Sequence, residues 1–562
     1  MITSVCRIIL WLLLVTGVPS KTSVLSRQLY VVPFPVIFGE NSDGSFAHPH
    51  SSLQQALDII EQTYHQNLSS MARTTINLYP THYFLGTIHL DKAHSHTHIT
   101  TMSLTDTLAY EHLLLTHEPT HRRLTKAIIS GGMPVTGWTK VNETTYSAVV
   151  PSSIYVNQLF VDDRRIVRTR VPMNHSEYLY YAASLNDSTQ ARYGFQYAPG
   201  QFDYQSLADA MVIVYHSWTE SHHYIDRLIT TNRTVVFSNP AGHPIGSFVS
   251  QGQKRFHIEN LCEALVPNSF CFVNATNTIY LMTDGSYDPN QSQIITSVNE
   301  TVVAIASTDG NNPVKDIIID NVAIQHGAWN INHTEMADAA SAAFLTSVAL
   351  FIANASSIII SDVEISHTGS YGIRISEGTS NINVFNSLIT DMGAGGIWIG
   401  DRSTNMSISP NSSKILSNNI AYGGNVFLSG VGVLIHRASD IIIARNTIHH
   451  LRYNGISVGQ GGYEISTKNI LIEGNYVYNI GQHILCDQGG IYTLGIQRGT
   501  IVTGNVVKNV FSFSIFMWGT YLDDGSSPGL SIGFVERGEI LKEKVSEIQR
   551  EKYFSVFFSL NF

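Results

Sequence analysis

Ile470-Leu471-Ile472-Glu473-Gly474-Asn475-Tyr476-Val477 is one copy of a pattern that recurs from about residue 312 onward. An aliphatic triplet is followed by Asn or Asp, then by alternating aliphatics. Ile317-Ile318-Ile319-Asp320-Asn321-Val322, Ile358-Ile359-Ile360-Ser361-Asp362-Val363, Ile441-Ile442-Ile443-Ala444-Arg445-Asn446-Thr447-Ile448 and Thr500-Ile501-Val502-Thr503-Gly504-Asn505-Val506-Val507 repeat it. Each copy leads to a strand opened by Gly, as in Gly455-Ile456-Ser457-Val458. A period of roughly twenty to forty residues signals a solenoid, because one unit cannot bury its own apolar face and must stack on its neighbours. Alternation with a period of two makes the units strands, so the expected class is all-β.

The glycines Gly372, Gly396, Gly432, Gly455, Gly490 and Gly519 align the units into columns. Successive side chains of a strand point to opposite faces. Ile373, Ile397, Val433, Ile456, Ile491 and Thr520 form one inward column, and Ile375, Ile399, Ile435, Val458, Thr493 and Leu522 form another. Between them runs an outward column of Arg374, Trp398, Leu434, Ser457, Tyr492 and Tyr521. Large rings with polar neighbours suit sugars, whose C–H faces stack while their hydroxyls bond outward. The same rings would also serve as packing beneath an inserted segment.

Only 14% of the 562 residues are charged, and the net charge is −10. Nucleic-acid binding depends on clustered Lys and Arg, so that class of partner is not expected. The start, Met1 to Arg7 followed by the apolar run Ile8 to Val15 and small residues at Val18 and Ser20, reads as a secretory signal. No later stretch is long and apolar enough to span a bilayer. Sequons at Asn67, Asn142, Asn174, Asn232, Asn354 and Asn411, among others, agree with an extracellular address. Cys262 and Cys271 bracket a short loop in that setting and are expected to pair, with Cys486 left over.

The expected organisation is a signal peptide over 1–20, an N-terminal cap and first coils over 21–126, and an inserted antiparallel β subdomain over 127–310. The main solenoid follows over 311–530, then an atypical tail over 531–562. The helical period at Ser52 to Ile60 places a short helix in the cap. Alternating strands at Tyr146 to Val150, Gln158 to Asp162 and Met211 to Tyr215 mark the insert. The tail is charged over Glu536 to Lys552 and then apolar. It either covers the open end of the solenoid or stands where further coils are missing.

Acidic groups gather at the ends of the outward column. His367, Asp391 and His450 stand five places before their glycines, Asp487 three before Gly490, and Asp523 and Asp524 four and five after Gly519. Hydrolysis of a glycosidic bond needs two flanking carboxyl groups. Asp487 and Asp523 lie on neighbouring coils but seven positions apart along the strand, up to roughly 23 Å if the chain is straight. Catalytic separations are about 5 to 10 Å. A bend at Cys486-Asp487-Gln488-Gly489 would close that gap; otherwise Asp487 would act with His450 or Asp391. Asp beside Gly also caps turns, which needs no chemistry.

Asp487-Gln488-Gly489-Gly490-Ile491-Tyr492-Thr493-Leu494-Gly495, followed by Gly499-Thr500-Ile501-Val502 and Asn505, resembles secreted right-handed parallel β-helix proteins of the pectin-lyase-like superfamily. Within them the chain is most similar to glycoside hydrolase family 141. Gly519-Thr520-Tyr521-Leu522-Asp523-Asp524-Gly525-Ser526-Ser527 looks like that family's second acidic motif. Gln158 to Val161, Arg170-Val171-Pro172 and Phe256 to Asn260 are similar to its inserted subdomain. The resemblance spans about 28 to 530. It implies a right-handed parallel β-helix that hydrolyses fucosyl or xylosyl linkages, with Asp487 and Asp523 at the matching acidic positions. The sequence departs from the pattern at Gln460, where an aromatic is expected, and at Cys486, where a small polar residue is expected.

The expected catalytic residues are therefore Asp487, Asp523 and Asp524. Tyr492, Tyr521, Trp398, Arg374, His450, Asp391 and Tyr453 are expected to line the sugar site. No cofactor or metal is expected: His94, His96 and His98 alternate but sit in a polar, solvated segment. Cys486 is expected to be a structural thiol. The expected partner is a glycan or polysaccharide substrate, and the chain is expected to act as a monomer. Two other functions remain open on the same fold: a polysaccharide lyase, or a non-catalytic glycan-binding protein.

Overall fold

The computed structural model describes residues 27–32, 44–45, 49–65, 73–113, 124–174, 176–331, 333–334, 336–337, 341–343, 347–400, 408–459, 467–514, 517–523, 525–526 and 531–533. Three parallel sheets run the length of the solenoid, with nine, nine and thirteen strands among these residues. Each coil contributes one strand to each sheet. In the first sheet Ser439–Ala444 pairs with Thr467–Glu473, in the second Thr447–Leu451 with Tyr476–Ile480, and in the third Val433–His436 with Ile456–Val458. The fold is a right-handed parallel β-helix.

The predicted inward columns fill its interior. Ile373, Ile397, Val433, Ile456 and Ile491 are fully buried, as are Ile375, Ile399, Ile435, Val458 and Thr493. Each buried aliphatic contributes about 1.5–3 kcal/mol, and stacking them rung on rung drives the coil to form. The repeated glycine has a steric cause. A Cβ on Gly455 would sit 2.5 Å from Val477 Cγ1, and one on Gly490 would sit 2.3 Å from Val507 Cγ1. The third sheet thus approaches the second too closely for any side chain there.

The recurring Asn forms an internal ladder. Asn418 Nδ2 donates to Asn446 Oδ1 (3.0 Å), Asn446 to Asn475 (2.9 Å) and Asn475 to Asn505 (2.9 Å). Each Oδ1 also accepts from the backbone N–H of the preceding Asn, so these buried amides are paired where water cannot reach.

The cap contains the expected helix, Leu53–His65, whose Ser52 hydroxyl accepts from the Gln55 N–H. Its buried face, Leu53, Ala56, Leu57 and Ile60, joins the solenoid core and closes its N-terminal end. A second helix spans Leu104–Leu113. Among the described residues no helix is long and apolar enough to cross a membrane.

The insert is narrower than 127–310. Ala127–Ser130 pairs in parallel with Val322–Gln325, and Val303–Ala306 with Val348–Ala353, so both are coils of the solenoid. Between them, from Gly132–Pro134 to Ile294–Ser297, lie two eight-stranded, largely antiparallel sheets. Cys262 and Cys271 form the expected disulfide, with their Cα atoms 5.3 Å apart. At the other end the repeat does not stop at 530: Ser531–Gly533 pairs in parallel with Ile501–Thr503. The signal segment, the sequon at Asn67, Gln460, Asp524 and residues 534–562 lie outside the described residues.

Candidate active site

The register reproduces the outward column step by step, from Arg374 opposite Trp398 to Tyr492 opposite Tyr521. Outward does not mean exposed. The insert lies over this strip, leaving Trp398 1% accessible and Leu434 and Ser457 fully buried. Met211, Ile213, Tyr215 and Tyr224 of the insert share one apolar cluster with Trp398, Leu434 and Tyr453 of the solenoid. Trp398 is therefore a packing residue here, its ring 3.9 Å from the Arg374 guanidinium, rather than an open sugar platform. Tyr453 is likewise buried, and its hydroxyl donates to the Asp487 carbonyl at 3.0 Å.

Asp487 and Asp523 do come together. The Tyr521 hydroxyl lies 2.9 Å from Asp487 Oδ1 and 3.1 Å from Asp523 Oδ1. Those two oxygens can be no further apart than the two contacts laid end to end, about 6 Å. The wide lateral offset disappears because Asp487 adopts a left-handed turn, φ 61°, where Asp is tolerated better than most residues. Neighbouring coils hold that turn. Asn454 Oδ1 accepts from the Gly489 N–H (2.8 Å), and the Gln488 side chain donates to the Phe511 carbonyl.

A second phenol completes the group: Tyr492 donates to Asp523 Oδ2 at 2.5 Å. Burial raises both tyrosines well above the ordinary phenol range. Tyr453, then Asp523 and Asp487, add to this at Tyr492, and the Asp487 and Asp523 charges add to it at Tyr521. Both phenols thus keep their protons. Trp518 stacks on Tyr521, with ring centroids 4.0 Å apart. It precedes the glycine from which the columns are counted and so falls outside them, although its register partner Gly489 ends the acidic turn.

The other expected site residues stand elsewhere. Asp391 accepts from Arg165 Nε (2.9 Å), from Asn425 Nδ2 (2.8 Å) and meets His367 Nδ1 at 2.7 Å. Burial pushes its carboxyl up, but Arg165 and His367 outweigh that and hold it below the usual range. It clamps the insert to the solenoid. His450 stacks on Tyr422 and meets His449 and Asn479, but neither carboxylate. His367, Asp391 and His450 share a turn position with positive φ (58°, 49° and 54°), which accounts for polar residues there without chemistry.

His94, His96 and His98 each face a separate carboxylate: Asp91, Asp316 and Asp320. Cys486 is buried, with Ser514 Oγ donating to its sulfur at 3.2 Å, while His483 is turned to Ser512 and Phe511. Among the described residues no group of three or more His, Cys, Asp or Glu is placed to hold a metal ion.

The family described as right handed beta helix region matches residues 349–522. A solved structure named glycoside hydrolase superposes with a TM-score of 0.74 at 17% identity, covering 90% of this chain and 96% of that one. The structure of XylC in complex with xylose gives a TM-score of 0.48 at 12% identity, covering 89% and 70%. No curated protein matches the sequence. The chain is built on a right-handed parallel β-helix, the fold that the matched family and the superposed structure share.

Proposed function

We propose that the protein is an exported glycoside hydrolase acting on fucosyl or xylosyl linkages of complex glycans, with Asp487 and Asp523 as its carboxyl pair. The observation that carries this reading is the single Tyr521 hydroxyl in contact with both carboxyl groups. A phenol has one proton to donate. That one hydroxyl is shared between the two carboxyl groups and holds them at a common point. Asp523 also accepts from Tyr492 on its other oxygen, which fixes its orientation, and we assign it the attacking role, with Asp487 as the acid.

This pairing of two carboxyl groups suits glycoside hydrolysis. Asp487 protonates the glycosidic oxygen as the C–O bond breaks, and Asp523 attacks the anomeric carbon to form a glycosyl ester. Asp487, now ionised, takes a proton from water, which cleaves the ester and regenerates both groups. Separations of about 5–5.5 Å accompany such double displacement, against about 6.5–9.5 Å for direct attack by water. The pair here is on the short side of that division. Likeness in fold to a protein named glycoside hydrolase, over nearly the whole of both chains, supports the same reading.

Proton NMR of the first-formed product tests it. The reading predicts hydrolysis of fucosyl or xylosyl glycans with retention of anomeric configuration. Inversion would contradict the covalent step, and an unsaturated product would point to a lyase.

A further inference from the structure

One stretch of the second sheet's outer face is paved with rings. It lies on four successive coils, over Asn419–Gly423, Thr447–Leu451, Tyr476–Ile480 and Val506–Val510. Tyr422 stacks on His450, with centroids 4.9 Å apart. Tyr476 stacks on Tyr478 at 4.7 Å, and Tyr478 on His449 at 4.7 Å. A T-shaped contact between His449 and His450, 4.9 Å, joins the two stacks. Tyr422 keeps 52% of its surface open and Tyr476 38%. A single exposed ring needs no explanation, but a run of them on adjoining coils forms a patch of the kind that marks an interaction site.

Polar groups are set among the rings. Asn419 Oδ1 meets His449 Nε2 (3.0 Å), Asn479 Nδ2 meets His450 Nε2 (3.1 Å), and Asn509 Nδ2 donates to Asn479 Oδ1 (3.0 Å). Lys508 Nζ lies 5.5 Å from the Tyr476 ring centre. None of the four strands carries an Asp or Glu. Cross-strand ring pairs also steady a sheet. That role does not explain Tyr422, whose backbone is left-handed (φ 59°) at the turn position that Asp391, Asn479 and Asn509 take on other coils. Asp and Asn tolerate that conformation, whereas a bulky residue there is an outlier of the kind found at ligand sites.

We propose that this strip is a docking surface for a neutral stretch of glycan chain, an extension of the site at Asp487 and Asp523. Sugar C–H faces rest on rings, while amides and imidazoles bond the hydroxyls. A strip with one amine and no carboxylate favours a neutral partner. Tyr422 and Tyr476 are two coils apart, roughly 10 Å along the axis, so the strip suits a run of chain rather than a single sugar. It is also continuous with the carboxyl pair. Tyr478 shares a coil with Asp487, and Lys508 with Asp523. Between strip and pair stands His483, exposed and stacked on Phe511 at 4.6 Å. The Phe511 carbonyl in turn accepts from the Gln488 side chain, next to Asp487. The choice of a glycan as occupant rests on the hydrolase reading.

Affinity electrophoresis of the full chain in soluble xylan and in fucosylated xyloglucan tests the strip, with Asp523→Asn as the background so that the polymer is not consumed. Tyr476→Ala removes one exposed ring. Tyr422→Asn removes another and relieves the left-handed backbone. Each should weaken binding to the polymer by about three- to tenfold, as for one lost ring contact. Tyr422→Asn should do so without lowering the thermal midpoint, which a ring serving only as packing would lower. With Asp523 in place, both variants should hydrolyse a xylosyl or fucosyl aryl glycoside, too short to reach the strip, at the unaltered rate. Unweakened polymer binding in both variants, or no binding of either polymer, would overturn the proposal. So would self-association of the chain that both variants abolish in sedimentation, since the occupant would then be a second copy. Polymer binding that depends on both tyrosines, in a chain that hydrolyses no glycoside, would leave the strip standing and remove the hydrolase reading. Hydrolysis lost in Asp523→Asn, with polymer binding unaltered in both tyrosine variants, would do the reverse.

Discussion

Asp487 and Asp523, thirty-six positions apart in sequence, meet at one hydroxyl, that of Tyr521. The contact joins two coils that the sequence places side by side but out of line. It also makes Tyr521 more than a wall of the site, since its proton is the link between the two carboxyl groups.

Tyr521→Phe keeps the ring against Trp518 and removes that link. We expect kcat to fall by about a hundredfold, the lower end of general acid–base effects, with KM changed far less. Steady-state kinetics on a fucosyl or xylosyl substrate check this. A fall in kcat/KM carried by KM alone would mean the hydroxyl only binds substrate.

Asp391→Ala should unfold easily. It removes the carboxylate beside Arg165, whose side chain is 16% accessible and keeps the Thr368 and residue-391 carbonyls, and breaking one member of a largely buried pair costs about 3–5 kcal/mol. Urea unfolding measures the loss. The clamp is also pH-sensitive: because Asp391 is held below its ordinary value, its contribution is complete above about pH 4 and fades as the pH falls further.

The buried histidines of the insert set a second, earlier acid limit. Burial holds His257 down to about 4 and His223 to about 3, against an ordinary value of 6.5. The unfolded chain therefore takes up protons before the folded one does. Stability is complete above about pH 6.5, declines as the pH falls below that value, and the loss levels off only below the folded-state values of about 4 and 3. Thermal midpoints recorded from pH 7.5 to 4 should fall steadily, and His257→Gln should flatten the slope. A level profile down to pH 4.5 would contradict this.

Asn446→Ala breaks the internal ladder in its middle, leaving Asn418 and Asn475 short of partners. The expected cost is about 1–3 kcal/mol for each buried group left unpaired, read from equilibrium unfolding. Lys468→Ala, at an exposed position of the next coil, is the control and should change little.

The solenoid was legible because its repeat is local. Triplets such as Ile441 to Ile443, the glycine of each coil and the alternation that follows it act within a few residues, and the observed register pairs the columns as counted. The site was legible in part. The acidic motifs could be found, but their meeting depends on a left-handed turn at Asp487 that strand counting treats as straight. What covers the outward column was hidden, since Trp398 is buried by strands nearly two hundred positions earlier. Asp391 owes its role to Arg165, which reaches it from the insert more than two hundred positions earlier.

The central claim is the division of labour between the two carboxyl groups, and rates of Asp487→Asn and Asp523→Asn on two substrates test it most directly. An aryl glycoside with a good leaving group does not need an acid, whereas a natural glycan does. We predict that Asp523→Asn loses at least about a thousandfold in rate on both, while Asp487→Asn loses as much on the glycan but far less on the aryl glycoside. Wild-type rates for both variants on both substrates would contradict the account.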